Sequence, residues 1–205
     1  MTRLHGMPPG RAGRLWLRHR LGVAGHGAVL LDRKLRILHT RVGECRQRAE
    51  RTAKEWESAC HDADVWLLRG ELLGGQRAVR FASTGRPADV EVTWEWLMGV
   101  RVPDQATCVI GPRTETPPLP DNTAIVLAMN AYRDAVAAAV RHAVAAAALR
   151  VVQAEELSTR RRLRAVTERW IPLLEGALSD LELALEEQDR TEAVGLRWAA
   201  GTLHR

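Results

Sequence analysis

Cys60, His61, Asp62 and Asp64 stand almost side by side, a run of groups able to bind a metal ion or move protons. A metal needs its ligands on one side, and successive helical residues point about 100° apart, so a helical segment cannot converge these groups on one ion. There is no Cys-x-x-Cys pair and no His-Glu-x-x-His, and the seven histidines are scattered. Gly70, Gly74 and Gly75 are not followed by the lysine of a phosphate loop, which argues against nucleotide binding by that route. Glu155, Glu156, Glu186 and Glu187 fall where solvated helix faces would carry them, with nothing pairing them into a cleft. The expectation is therefore no catalytic residue, no metal and no cofactor. The remaining polar concentration is Thr159-Arg160-Arg161-Arg162-Leu163-Arg164. Guanidinium groups this close repel one another unless water or acidic groups answer them. The segment is either a solvated face or a protein interface in which arginine forks engage carboxylates.

A seven-residue apolar repeat dictates how those groups are carried. Leu17, Leu21, Ala24, Ala28, Leu31, Leu35, Leu38, Val42, Cys45, Ala49, Thr52, Trp56, Ala59, Ala63 and Trp66 recur at alternating steps of four and three, and Thr52 alone is polar. A stripe of that period stays buried only against a partner helix that winds with it. Trp56 and Trp66 are wide for a two-helix seam, so the packing should broaden there.

Composition agrees with narrow helix–helix contacts. Aromatic residues make up 4% of the chain, and alanine, leucine, valine and arginine dominate. The net charge is +5, and Lys34 and Lys54 are the only lysines. A basic balance permits nucleic acid, acidic lipid or an acidic protein as partner, but no aromatic platform accompanies the arginines. Cys45, Cys60 and Cys108 are expected to be reduced thiols, Cys45 as a buried hydrophobe. The start lacks the apolar core of a signal peptide. No apolar run is expected to reach the roughly 18 residues of a membrane span.

The expected organisation is a flexible start over 1–10, a coiled-coil helix over 11–75, a β-hairpin and loop module over 76–120, a second coiled-coil helix over 121–200 and a tail over 201–205. Gly22, Gly25 and Gly27 weaken the first helix, and Gly74 with Gly75 should end it. Val90, Val92, Trp94 and Trp96 alternate as in a strand that continues to Val102 with a break at Gly99, and Thr107–Ile110 is a second short strand. Gly111 and Pro112, Pro117, Pro118 and Pro120 make a loop. Asp121 or Asn122 can cap the second helix. Its stripe of Val140, Val144, Ala147, Val151 and Ala154 is out of phase with Ile171, Leu174, Leu178, Leu181 and Leu185; the slip falls around Ser158–Arg164, and Pro172 should bend the arm or release a hydrogen bond. The fold class is mainly α, a long antiparallel two-helix coiled coil with a small β-hairpin inserted between its arms.

Three segments in this order resemble the D-subunit family of V-type (vacuolar/archaeal-type) ATPases. They are Pro9, Ala24, Gly27, Leu30, Leu31, Arg33, Lys34 and Leu38; Met98-Gly99-Val100-Arg101-Val102-Pro103; and Arg160 to Thr167 with Ile171-Pro172, running on to Leu185, Glu186, Glu187, Arg190, Leu196 and Arg197. Arg164 stands where the family usually has asparagine, and Thr167 where it has glutamate. The resemblance implies a non-catalytic central rotor stalk, transmitting torque between the catalytic hexamer and the membrane ring. The implied partners are the A and B subunits, the small F subunit of the stalk and the docking subunit of the membrane rotor, with no nucleic acid and no direct membrane insertion. The implied location is peripheral, on the cytoplasmic face of a membrane. Arg160, Arg161, Arg162 and Arg190 are then candidate partner contacts. The competing expectation is a basic coiled coil that binds nucleic acid or serves as a scaffold.

Overall fold

The computed structural model describes residues 6–82, 88–110 and 122–202. The expectations for the first five residues, for the loop at 111–120, for Asp121 as a cap and for the last three residues lie outside them. In chain order the elements are α1 (Gly10–Ala82), β1 (Asp89–Leu97), β2 (Val100–Val109), α2 (Thr123–Ala165), a π-helix (Val166–Trp170) and α3 (Ile171–Thr202). The protein is mainly α, two long packed helical arms with a two-stranded antiparallel hairpin between them. It forms two compact units, one combining the chain up to Arg36 with the chain from Leu157, the other spanning Ile37–Glu156.

The repeat in α1 is the buried seam. Leu17, Ala24 and Ala28 are buried in the first unit, and Leu38, Val42, Cys45, Ala49, Thr52 and Ala63 in the second. Trp56 is 40% exposed and lies flat on His142 of α2, ring centroids 5.5 Å apart. The wide ring is thus accommodated at the edge of the seam. The helix runs through Gly22, Gly25 and Gly27 without interruption and breaks at Gly75, where the glycine pair was expected to end it. Gly75 leaves the helical region (φ 66°, ψ 174°), a backbone state that glycine adopts without a Cβ clash. Helix then resumes and reaches Ala82, with Val79 and Ala82 turned toward Ile125 and Ile110 around a cavity of about 410 Å³. Burial of Ala82 and half-burial of Val79 favour a further helical segment after the break.

Residues read as one strand with a break form the hairpin itself. Leu97 pairs with Val100, so Met98 and Gly99 are a two-residue turn, both at positive φ (51° and 84°). That combination is the turn whose twist matches antiparallel strands. The second strand therefore starts at Val100 and stops at Val109, rather than spanning Thr107–Ile110 alone. A two-stranded sheet is marginal by itself. This one is held because Val102, with Leu97 and Val100, packs into a cluster of Leu38, Val42 and Cys45 from α1 and Ala148 and Val152 from α2.

Asn122 begins the second arm by accepting the Ala124 N–H on Oδ1 at 2.9 Å. The buried line along α2 is Ala128, Ala135, Ala138, Ala145, Ala148, Val152 and Thr159. Of the expected stripe, Val144 is buried, Val140, Ala147 and Val151 are half-buried, and Ala154 is exposed. Alanines crowd this stretch so densely that apolar periodicity hardly distinguishes neighbouring faces. The same alanines bear on another expectation: the continuous helix Thr123–Ala200 contains a stretch long and apolar enough, by length and composition alone, to cross a membrane.

The phase slip lies at the π-helix, a little beyond the expected place. The Ile171 N–H bonds the Val166 carbonyl, five residues back. Pro172 lacks the N–H that would bond the Glu168 carbonyl, and its ring would crowd that carbonyl in a regular α-helix. The wider turn falls immediately before the proline, where the regular ladder cannot continue. Thr167 Oγ1 donates to the Leu163 carbonyl at 3.0 Å, adding a hydrogen bond where the ladder changes pitch. The seam spacing accordingly stretches to five between Val166 and Ile171, then returns to three and four through Leu174, Leu178 and Leu181. These side chains pack on Leu17, Leu21 and Ala24 of α1.

Candidate partner-contact surfaces

Each unit carries its own polar features. In the first, Thr159 is fully buried in the seam, so the residues that follow it must turn outward. Arg160, Arg161, Arg162 and Arg164 are all exposed. Arg164 Nε lies 3.5 Å from Glu168 one turn along, while Arg161 and Arg162 make no ion pair among the described residues. Arg190 is also exposed and pairs locally with Glu187 at 3.4 Å. At about 1.5 Å per residue it lies roughly 40 Å farther along the arm than Arg162, so the four candidates do not form one site. Arg11–Asp189 at 3.3 Å and Arg18–Glu182 at 2.8 Å link α1 to α3 in antiparallel order. Pairs this exposed guide alignment and add little stability.

In the second unit the seam has a polar key. Thr52 Oγ1 lies 3.0 Å from the Arg48 carbonyl and 3.1 Å from that of Ala49, and its proton can go to only one of them. Its oxygen also lies 3.3 Å from His142 Nδ1 and accepts from it in the tautomer that carries the proton there. This contact between arms in an apolar stretch favours one register, because a slip would lose the Thr52–His142 approach while the hydroxyl kept its bond within its own helix.

Two arginines tie the hairpin to α1. Arg41 Nη2 donates to Glu95 of β1, and its Nη1 donates to Glu44 at 2.9 Å. Arg48, two turns later, reaches the Asp104 carboxylate at 3.2 Å and the Asp104 carbonyl at 2.7 Å. Hydrogen bonds to Glu44 and Glu95 hold the Arg41 guanidinium even more firmly protonated than usual. Burial pushes the Cys45 thiol between them upward. These anchors were not legible in the sequence, although a seven-residue spacing flanking the stripe is the signal that could have raised them.

Farther along, Tyr132 donates to Asp64 at 2.7 Å, and that bond, with burial, pushes the phenol up to about 12. Asp64 is thus engaged with the opposite arm, while His61 and Asp62 face solvent and Cys60 is half-buried. No three histidine, cysteine or acidic side chains converge on a metal-sized site among the described residues. One unit thus offers an outward arginine row and the other a hairpin held at two points, features that suit contact with other macromolecules.

The family model for the ATP synthase D subunit matches residues 15–201, which takes in most of α1, the hairpin and nearly all of the second arm. The chain is also similar to the D subunit of the A-type ATP synthase of Methanopyrus kandleri. The two are 28% identical over 211 residues, an alignment covering 98% of this chain and 89% of that one.

Proposed function

The chain belongs to the ATP synthase D-subunit family, and from that premise we propose that it is the central-stalk subunit of a V/A-type ATPase, transmitting torque without catalysing a reaction itself. The observation that carries this reading is the match of family, length and architecture together: one description covers both arms and the hairpin. A shaft must resist twisting, and two helices packed along an apolar seam within each unit resist it better than one helix. It must also differ from side to side, so that rotation alters each catalytic site in turn; the hairpin and the π-helix break the symmetry of the pair.

Its partners in this reading are the A and B subunits of the hexamer, the small F subunit of the stalk and the docking subunit of the membrane rotor. The location is peripheral, on the cytoplasmic face, within the complex. Direct insertion is disfavoured because the alanine-rich stretch of α2 includes Arg141 and Arg150 and packs its small faces on α1. Arg161 and Arg162 answer acidic surface on a partner, and Arg160 and Arg190 are secondary contacts. Tagged chain recovered from its host should bring down A and B subunits, and their absence refutes the stalk assignment. Arg161→Glu with Arg162→Glu should reduce that recovery. Intact assembly and coupled ATPase activity in this variant would remove the arginine row from the interface while leaving the assignment standing.

A further inference from the structure

The hairpin has two edges, and only one is blocked. On β2, Pro103 has no N–H, the Asp104 carbonyl is occupied by Arg48, and Val102 with Pro103 is buried. A bulge distorts the same strand: Val92 pairs with Ala106 and Trp94 with Pro103, so Thr93 faces both Asp104 and Gln105. The Thr93 hydroxyl accepts the Gln105 N–H at 3.1 Å and lies 3.2 Å from the Gln105 carbonyl, which locks the bulge in place. Bulges and prolines are how edge strands are kept from pairing further.

β1 has none of these protections. Its sequence, Asp89-Val-Glu-Val-Thr-Trp-Glu-Trp-Leu97, contains no proline and no basic residue, and its first six positions are exposed. β2 is its only strand neighbour, and the sole further backbone hydrogen bond outside the elements joins Ile125 to Asn122, so the outer row of β1 is unpaired among the described residues. One face of the strand shows Val90, Val92, Trp94 and Trp96, at 46%, 37%, 48% and 75% exposure. The other shows Asp89 and Glu91, neither in an ion pair among the described residues, and Glu95, which Arg41 holds.

We propose that the free edge of β1 is a docking edge for an extended segment of a partner polypeptide in which basic and apolar side chains alternate. Main-chain hydrogen bonds would extend the sheet by one strand, and side chains on the incoming strand fall alternately beside the acidic row and the valine–tryptophan row. Charge selects the occupant. A second copy of β1 would set Asp89 and Glu91, unpaired among the described residues, beside further acidic residues, which cross-strand pairing disfavours, whereas lysine or arginine at alternate positions answers them. The inference goes beyond the torque reading and does not depend on it, because the edge belongs to the hairpin whatever the arms do.

The test uses the full chain and two synthetic peptides, Arg-Val-Lys-Val-Arg-Val-Lys and the same peptide with glutamate for every basic residue. Amide hydrogen exchange and tryptophan emission are recorded as each is titrated. The basic peptide should slow exchange across residues 89–97 and shift the emission, and the acidic peptide should do neither. Asp89→Lys with Glu91→Lys, both exposed, should leave the helical circular dichroism intact and weaken the basic peptide by about tenfold or more. The proposal is overturned if β1 gains no protection, if both peptides protect it equally, if protection falls on the helices instead, or if the chain alone dimerises through β1.

Discussion

Replacing Gly22, Gly25 and Gly27 by alanine together should make the first unit more stable. All three lie in helical conformation within α1, and a Cβ added at any of them meets nothing within 4 Å. The substitution therefore adds no clash and removes the entropy glycine loses on entering a helix, about 1 kcal/mol per site. The sites make no contact that alanine would replace, so the gains should nearly add, to about 3 kcal/mol. For a chain of this size that is a rise of roughly 6–12 °C in melting temperature. Urea unfolding followed by helical circular dichroism, and by emission of a variant that keeps Trp16 on the Leu17–Leu174 cluster as its only tryptophan, reads the unit. Gly13→Ala is the control of opposite sign, because its Cβ would come within 2.3 Å of the Pro8 carbonyl oxygen. A triple variant no more stable than the parent, or a stabilised Gly13→Ala, would refute the reasoning, since both signs follow from the space around each Cα.

Other outcomes follow from the packing. Leu174 is fully buried, so Leu174→Ala should cost about 2–5 kcal/mol, read by the same urea assay. Val102→Ala should cost about 2 kcal/mol and raise amide exchange across the hairpin, whereas Asp104→Ala should cost less than about 1 kcal/mol, because the Arg48–Asp104 pair is one-third exposed and apolar packing holds the strands. Tyr132 is the only tyrosine, so tyrosinate absorbance titrates it alone; it should ionise near 12 rather than 10. The folded state keeps that proton longer than the unfolded chain does, so the bond to Asp64 stabilises fully below pH 10, and the contribution fades as pH rises toward 12. The stability gap between the parent and Tyr132→Phe should shrink over that window; a constant gap contradicts the assignment.

The first arm was legible because its seam residues differ in type from their neighbours. Leu38, Val42 and Cys45 stand among arginines and glutamates, so period and burial coincide. In the second arm, Ala137, Ala138 and Ala139, and again Ala145 to Ala148, make every face apolar, and the seam is chosen by shape instead. The small side chain of Ala145 or Ala148 lets the arms approach, and hydropathy does not encode that. The hairpin turn was half visible: Gly99 signalled positive φ, but Met98 did not, so the turn read as a break in one strand. Gly75 signalled the break correctly, whereas nothing in the local sequence marked the short helix beyond it that buries Ala82 and half-buries Val79. Among the candidate contacts, Arg161 and Arg162 lie exposed as a charge run would, while the pairs Arg41–Glu95 and Arg48–Asp104 join residues more than fifty positions apart, which no local pattern marks.

The five-residue step from Val166 to Ile171 makes this the place where the gene can change length. In a regular helix, one added or lost codon turns everything downstream by about 100° and carries a seam out of register. At the π-helix, loss of a single codon such as that for Glu168 would return the step to four and keep Leu174, Leu178 and Leu181 facing α1. The deletion fails for another reason: Pro172 would then sit inside an unbroken α-helix, at a cost of about 3 kcal/mol. Deletion and proline form an epistatic pair, the deletion harmful alone and tolerated beside Pro172→Ala. Lineages that lose the proline should be free to lose the extra residue as well.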